Sequence, residues 1–204
     1  MSVEPVGNSK HPGQAGFSLV ELLVVIGIIG IMSAVALPQI MLWLRNYRIQ
    51  GAAQEVARQV EAARVKAIST NSNNGVLFAI VDRNSYRILR PDLAPPLAGP
   101  DEYLGTLHDL PGNVQFIAQG TQAQVRFSRL GAPCEPGAGT CGPAVAVTCT
   151  AAEAARCSQA PGVPYMTVTA GTFEILVAGA EAVVASGQQR RIRISTGGRA
   201  YVQS

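Results

Sequence analysis

The sequence offers little to a reaction. Among 204 residues there are two histidines, and only His108 lies beyond the first sixteen positions. It stands beside Asp109, but no motif places a serine, a cysteine or a second histidine around it, so the pair reads as a solvated turn. Asp101 and Glu102 likewise read as solvent-facing. There is no phosphate loop, no dinucleotide fingerprint and no run of metal ligands. No repeat of about 20–50 residues stands out, which argues against a solenoid or propeller. Cysteine is missing after Cys157, and acid is missing after Glu181. Neither catalysis nor a cofactor is expected.

What the chain does have is one long oily run. Residues 16–38 read GFSLVELLVVIGIIGIMSAVALP, with a single acid, Glu21, near the start. A helix of this length can cross a bilayer, but a carboxylate inside it is costly and asks for a cation. The preceding residues carry Glu4, Lys10 and His11 and no apolar stretch. In a secretory signal peptide the small-residue cut follows the apolar segment. Here Gly16 precedes it, so a cut there leaves the apolar part on the mature chain. An ordinary uncleaved signal anchor explains neither Glu21 nor the Gly-Phe junction.

Helical patterning continues beyond the run. Pro38 removes one backbone donor and is expected to bend the helix without ending it. Past Leu44, Ile49, Ala52, Ala53, Val56, Val60, Ala63 and Ala67 recur every three or four residues. Glu55, Arg58, Glu61 and Arg64 fall on the other side, spaced to pair. The cluster Asn71-Ser72-Asn73-Asn74-Gly75 predicts the stop. A helix from Phe17 to about Ser69 would be roughly 80 Å long. From Gly75 the period shortens to that of strands: 76–81, 85–89, 114–118, 123–127, 144–149, 165–170, 172–177, 190–195 and 200–202. Asp82-Arg83-Asn84 reads as a hairpin turn. Residues 75–204 suffice for one antiparallel β domain whose core the helix completes. The fold class expected is α+β.

Residues 16–38 resemble the prepilin N-terminus shared by type IV pilins and type II secretion pseudopilins: glycine, phenylalanine, a carboxylate at fixed spacing and a later proline. The resemblance implies a leader over residues 1–16, removed by a prepilin peptidase that cuts between Gly16 and Phe17 and N-methylates Phe17. It further implies a transmembrane and filament-core half-helix over 17–44, an amphipathic half over 45–71 and a head over 75–204. Glu21 would neutralise the new amine of Phe17 on a neighbouring subunit, setting register as subunits enter a filament. Implied partners are the lipid bilayer, an inner-membrane assembly platform and other minor pilins or pseudopilins. The implied location is the bacterial inner membrane, single-pass with a periplasmic head, and then the filament.

The head resembles the GspH/FimT group, through the segment Ala62–Ile68, Val125-Arg126-Phe127 followed by Gly131, and the ending 191–199. With no cysteine near the chain end, a minor component is implied. Such a subunit would prime or cap a type IV pilus or a secretion pseudopilus, and residues alone leave that choice open. Cys134, Cys141, Cys149 and Cys157 are too widely spaced for a usual zinc site. Outside the inner membrane disulfides persist, so two bridges are expected. Cys134–Cys141 with Cys149–Cys157 is favoured over the nested pairing, on a stapled surface insertion. Formal charge is +3, but Arg190, Arg191, Arg193 and Arg199 close the chain without an acid. Some FimT-like pilins bind DNA through a C-terminal Gly-Arg motif with a second arginine just after. Here Gly198-Arg199 lacks that second arginine, and a basic face that pairs with acids is the more expected reading.

Overall fold

A computed structural model describes residues 17–71, 73–91, 105–136, 163–180 and 189–203, together with Gly142, Val145, Cys149 and Glu153. The chain divides into two compact units between Trp43 and Leu44.

Helix α1 spans Leu19–Thr70, 52 residues, and contains Pro38 without breaking. Proline costs one amide donor, and its neighbours keep the helical ladder on either side. In the first unit every described residue from Phe17 to Trp43 is exposed. This segment is long and apolar enough to cross a membrane.

In the second unit the helix changes character. Ile49, Ala52, Ala53, Val56, Ala57, Val60, Ala63 and Ala67 are buried, a stripe at helical spacing that faces the head's core. On the outer side Arg58 bonds Glu55 at 2.5 Å and Arg64 bonds Glu61 at 2.7 Å, as the three-residue spacing predicts. Asn71 ends the helix in the left-handed region, φ 47°, a conformation asparagine tolerates.

Two antiparallel sheets complete this unit. The strands are β1 (Val76–Ile80), β2 (Ser85–Leu89), β3 (Leu107–Asp109), β4 (Val114–Phe116), β5 (Gln124–Phe127), β6 (Pro133–Cys134), β7 (Met166–Thr169), β8 (Thr172–Gly179), β9 (Gln189–Ile194) and β10 (Ala200–Gln203). The first sheet runs β3-β2-β1-β5-β6 and the second β10-β9-β8-β4, with β7 also on β8. The eight residues of β8 serve two partners along one edge, β7 beside Thr172–Ile175 and β4 beside Val177–Gly179.

The β1–β2 turn falls where Asp82-Arg83-Asn84 predicts it. Asp82 Oδ1 accepts three hydrogen bonds at 2.7 Å, from the amides of Asn84 and Ser85 and from the Ser85 hydroxyl. That loop conformation is the one an aspartate side chain favours. The turn is tied to its neighbours by Leu110 N–H to Asn84 O and Phe116 N–H to Arg83 O.

Alternation along β1 divides the interior. Val76, Phe78 and Ile80 join the helix stripe, the second sheet, Tyr86, Phe116 and Tyr165 in one large core. Leu77, Ala79 and Val81 point the other way and form a second apolar layer with Leu89 and Leu107. A sheet buried on both faces needs a cover, and two described residues of the cysteine-bearing segment supply part of it: Val145 and Cys149 pack on this layer.

Two expectations change here. His108 and Asp109 belong to strand β3 and not to a loop turn, and the His108 ring stacks on Tyr86 with centroids 5.4 Å apart. The cysteine segment, expected as surface rather than core, has two described residues, Val145 and Cys149, that pack partly buried on the second apolar layer. Of the strand expected over 144–149, only Val145 and Cys149 are described, and neither is in a strand. Asp101 and Glu102 lie outside the described residues.

Candidate functional site

The first candidate site begins at the start of α1. Ser18 caps the helix: its Oγ accepts the Glu21 amide at 3.2 Å, and its carbonyl accepts the Leu22 amide. Serine followed three residues later by glutamate is a capping pattern, and an acid in the first turn complements the positive end of the helix dipole. Phe17 is 81% exposed just ahead of the cap. Gly16 lies outside the described residues. Residues 22–42 add no further charge, so Glu21 is the one carboxylate at the end of an uncovered apolar helix.

The second candidate is the outer face of β9 and β10. Register pairs Glu174 with Arg193 and Arg193 with Tyr201, which puts the three on one face with Arg191. Glu174 lies 3.3 Å from Arg193 and 3.8 Å from Arg191. This acid, three residues into β8, was not singled out in the sequence. Arg190 alternates to the opposite face and bonds the Gln189 carbonyl at 3.1 Å. The four arginines therefore do not form one stripe. Arg199 closes the β9–β10 turn, its carbonyl accepting the Ser195 amide at 2.9 Å.

The third cluster joins the segments that carried the head's resemblance. Arg64 Nε donates to the Gly131 carbonyl at 3.3 Å while Nη1 holds Glu61. Gly131 has φ +78° and Gly198 φ +81°, and a Cβ on Gly198 would lie 2.0 Å from the Gly131 carbonyl oxygen. Only glycine permits that approach. Helix, β5–β6 turn and β9–β10 turn thus meet at Arg64, Gly131 and Gly198, and the spacing of these residues reflects packing.

A fourth cluster lies under the cysteine segment. Arg87 has a fully buried side chain and donates to Glu153 at 2.5 Å. Beside it Gln124 Nε2 donates to the Val145 carbonyl and Arg126 Nη1 to the Asn74 carbonyl. Cys134 and Cys149 are both disulfide-bonded. Cys141 and Cys157 lie outside the described residues. Among the described residues no group of three or more His, Cys, Asp or Glu is arranged to hold a metal.

Hydrogen bonding from Gln59 and the Arg58 charge hold the Glu55 carboxyl below its ordinary value. Burial pushes the Tyr86 phenol up to about 12, and raises Tyr165 as well.

With that geometry in place, three comparisons bear on the chain. The model of the prokaryotic N-terminal methylation motif matches residues 11–37. The pilin-like protein PilA1 of Thermus thermophilus is 31% identical over 112 residues, 55% of this chain and 65% of that one. A fimbrial protein of Moraxella nonliquefaciens is 39% identical over 66 residues, 32% of this chain and 40% of that one. The chain therefore spans less than two thirds of the length of the curated relatives it matches. A crystal structure of the Pseudomonas aeruginosa type IV minor pilin FimU aligns with TM-score 0.48 at 14% identity, covering 79% of this chain and 92% of that one. The chain therefore carries the prokaryotic N-terminal methylation motif over residues 11–37 and is similar, over part of its length, to pilin-like and fimbrial proteins.

Proposed function

We propose that the chain is a minor filament subunit, cut by a prepilin peptidase between Gly16 and Phe17, N-methylated at Phe17 and held in the inner membrane before assembly. Its head would lie in the periplasm, and an inner-membrane platform would pass it into a type IV pilus or a type II secretion pseudopilus, beside other minor pilins or pseudopilins, where it primes or caps the filament. The observation that carries the reading is the first half of α1. Every large apolar side chain from Phe17 to Trp43 is exposed, and the lone acid sits in the first turn.

Apolar surface on this scale needs a lipid or protein cover. A bilayer covers it in the precursor, and neighbouring helices cover it in a filament. Glu21 limits how deep the helix can rest in hydrocarbon without a counter-charge, and the amine of a neighbour's Phe17 supplies one. Pro38 lets the helix continue while leaving one carbonyl without its amide partner. Mass spectrometry of the mature protein tests processing: the expected N-terminus is Phe17 with one added methyl group. Retention of Met1 overturns the reading. Glu21→Gln is expected to leave cutting intact and to abolish entry into filaments.

A second reading, a DNA-binding minor pilin acting in natural transformation, draws on Arg191 and Arg193 beside Tyr201 on one exposed face. Glu174 opposes it by placing a carboxylate against both arginines. DNA affinity that falls steeply with salt, and is lost on neutralising Arg191, Arg193 and Arg199, would favour this reading.

A further inference from the structure

The end of α1 carries an apolar patch that the filament-core half of the helix does not account for. Val65 is 53% exposed, Ile68 43% and Leu130 81%. Val65 and Ile68 are helix neighbours three apart. The β5–β6 turn that carries Leu130 packs on this part of the helix: a Cβ built on Gly131, the next residue, would lie 2.8 Å from Ile68 Cδ1. The turn is held in place, with Gly131 N–H on the Ser128 carbonyl at 2.8 Å and Arg64 on the Gly131 carbonyl. The patch is therefore built on fixed backbone.

Its surroundings are cationic. Arg129 precedes Leu130 and is exposed; Arg199 follows Gly198, which packs on Gly131, and is exposed too. Arg64 lies between the two turns, and its partner Glu61 offsets that one charge. Arg199 stands on the β9–β10 turn next to Gly198, which packs on Gly131, whereas Arg191 and Arg193 face Glu174. Three aliphatic side chains flanked by two arginines suit a segment that offers both apolar side chains and a carboxylate. Nucleic acid fits less well, since aliphatic groups give phosphate nothing and offer bases no aromatic surface to stack on.

We infer that Val65, Ile68 and Leu130, flanked by Arg129 and Arg199, dock a carboxylate-bearing apolar segment of a neighbouring pilin-like subunit. This rests on the filament reading above. The test uses the full chain in cells that assemble it, with the Leu130 side chain replaced by the photocrosslinker p-benzoylphenylalanine. Adducts are mapped by mass spectrometry in the sheared filament fraction. The expected adduct lies on a subunit bearing the N-terminal methylation motif, within a peptide containing Asp or Glu. Its yield should fall at least about fivefold in the Arg129→Gln, Arg199→Gln double variant, consistent with the loss of a charge-pair contact worth about 1 kcal/mol or more. Matching thermal melts of parent and double variant exclude misfolding. A cut, filament-borne chain that gives no adduct, an adduct on DNA or lipid, or one indifferent to the double variant overturns the docking site alone. A chain left uncut after Gly16 overturns the filament reading and the docking site with it.

Discussion

Replacing Glu153 with alanine is expected to destabilise the head more than replacing its partner, Arg87, with methionine. The Arg87 side chain is 0% exposed and that of Glu153 is 19% exposed, with 2.5 Å between Nη2 and Oε2. Arg87 Nε and Nη1 have no hydrogen-bond partner among the described residues, so Glu153 carries most of the compensation for a buried guanidinium. Breaking a buried pair from one side costs about 3–5 kcal/mol. Some water can follow the vacated carboxylate inward, which sets the expectation near the lower end, about 3 kcal/mol. Removing Arg87 instead leaves a carboxylate near the surface that can rehydrate, and methionine refills much of the volume beside Leu77, Ala79 and Leu89. That change should cost about 1–2 kcal/mol. The double variant should resemble Arg87→Met alone, because the stranded charge is gone.

The assay is thermal unfolding of the detergent-solubilised full chain under oxidising conditions, followed by near-UV circular dichroism. For a domain of this size 1 kcal/mol moves the midpoint about 2–4 °C. Glu153→Ala should therefore lower Tm by about 6–12 °C. A drop no larger than that of Arg87→Met would refute the argument, since the guanidinium would then be shown not to depend on this carboxylate.

Reducing the disulfides that hold Cys134 and Cys149 should destabilise the head by about 2–5 kcal/mol, read as a lower urea midpoint with and without reductant. The same treatment should speed hydrogen exchange in β1 and β2, whose second face Val145 and Cys149 help cover. Gly198→Ala should cost about 2–4 kcal/mol, because its Cβ would meet the Gly131 carbonyl at 2.0 Å in a left-handed conformation; an unchanged melt would contradict that close approach. The phenol of Tyr86 titrates above its ordinary 10.0, at about 12, because it is buried. The unfolded chain therefore loses this proton first as pH rises, so stability is intact below about pH 10 and falls between 10 and 12. Tyr86→Phe should flatten that alkaline decline in a urea titration, with Tyr165 supplying a remainder in the same direction.

Much of this architecture is legible in the residues, and particular elements show why. Helix α1 follows from the spacing of Ile49 through Ala67 and from a proline that costs one bond in 52 residues. Strands β1 and β2 follow from two apolar runs around Asp82, whose side chain dictates the turn. Strands β3 and β6 were not expected. They are three and two residues long, and Pro133 and the polar His108-Asp109 pair give them no strand signature; they form because β2 and β5 offer edges to pair with. The burial of Arg87 is equally invisible in composition. It depends on Glu153, 66 residues away, arriving through a segment whose small residues suggested a surface loop. The alternation that puts Arg87 and Arg126 beside Leu77 and Ala79 could have raised the question, but only the cover answers it. Glu174 is similar: one acid in a strand carries no signal until register places two arginines across from it.

The strands at the sheet margins have a consequence for crowding. Among the described residues β3, β6 and β10 contribute three, two and four residues respectively, and β4 and β7, on the other margin of the second sheet, three and four. An exposed edge templates runaway pairing in proportion to its length and flatness. Copies of this chain held side by side would meet one another at local concentrations far above those of free solution. Margins this short give a neighbouring backbone too few successive donors and acceptors to zip onto. Contact between copies is then left to side chains, which can be specific and can be undone.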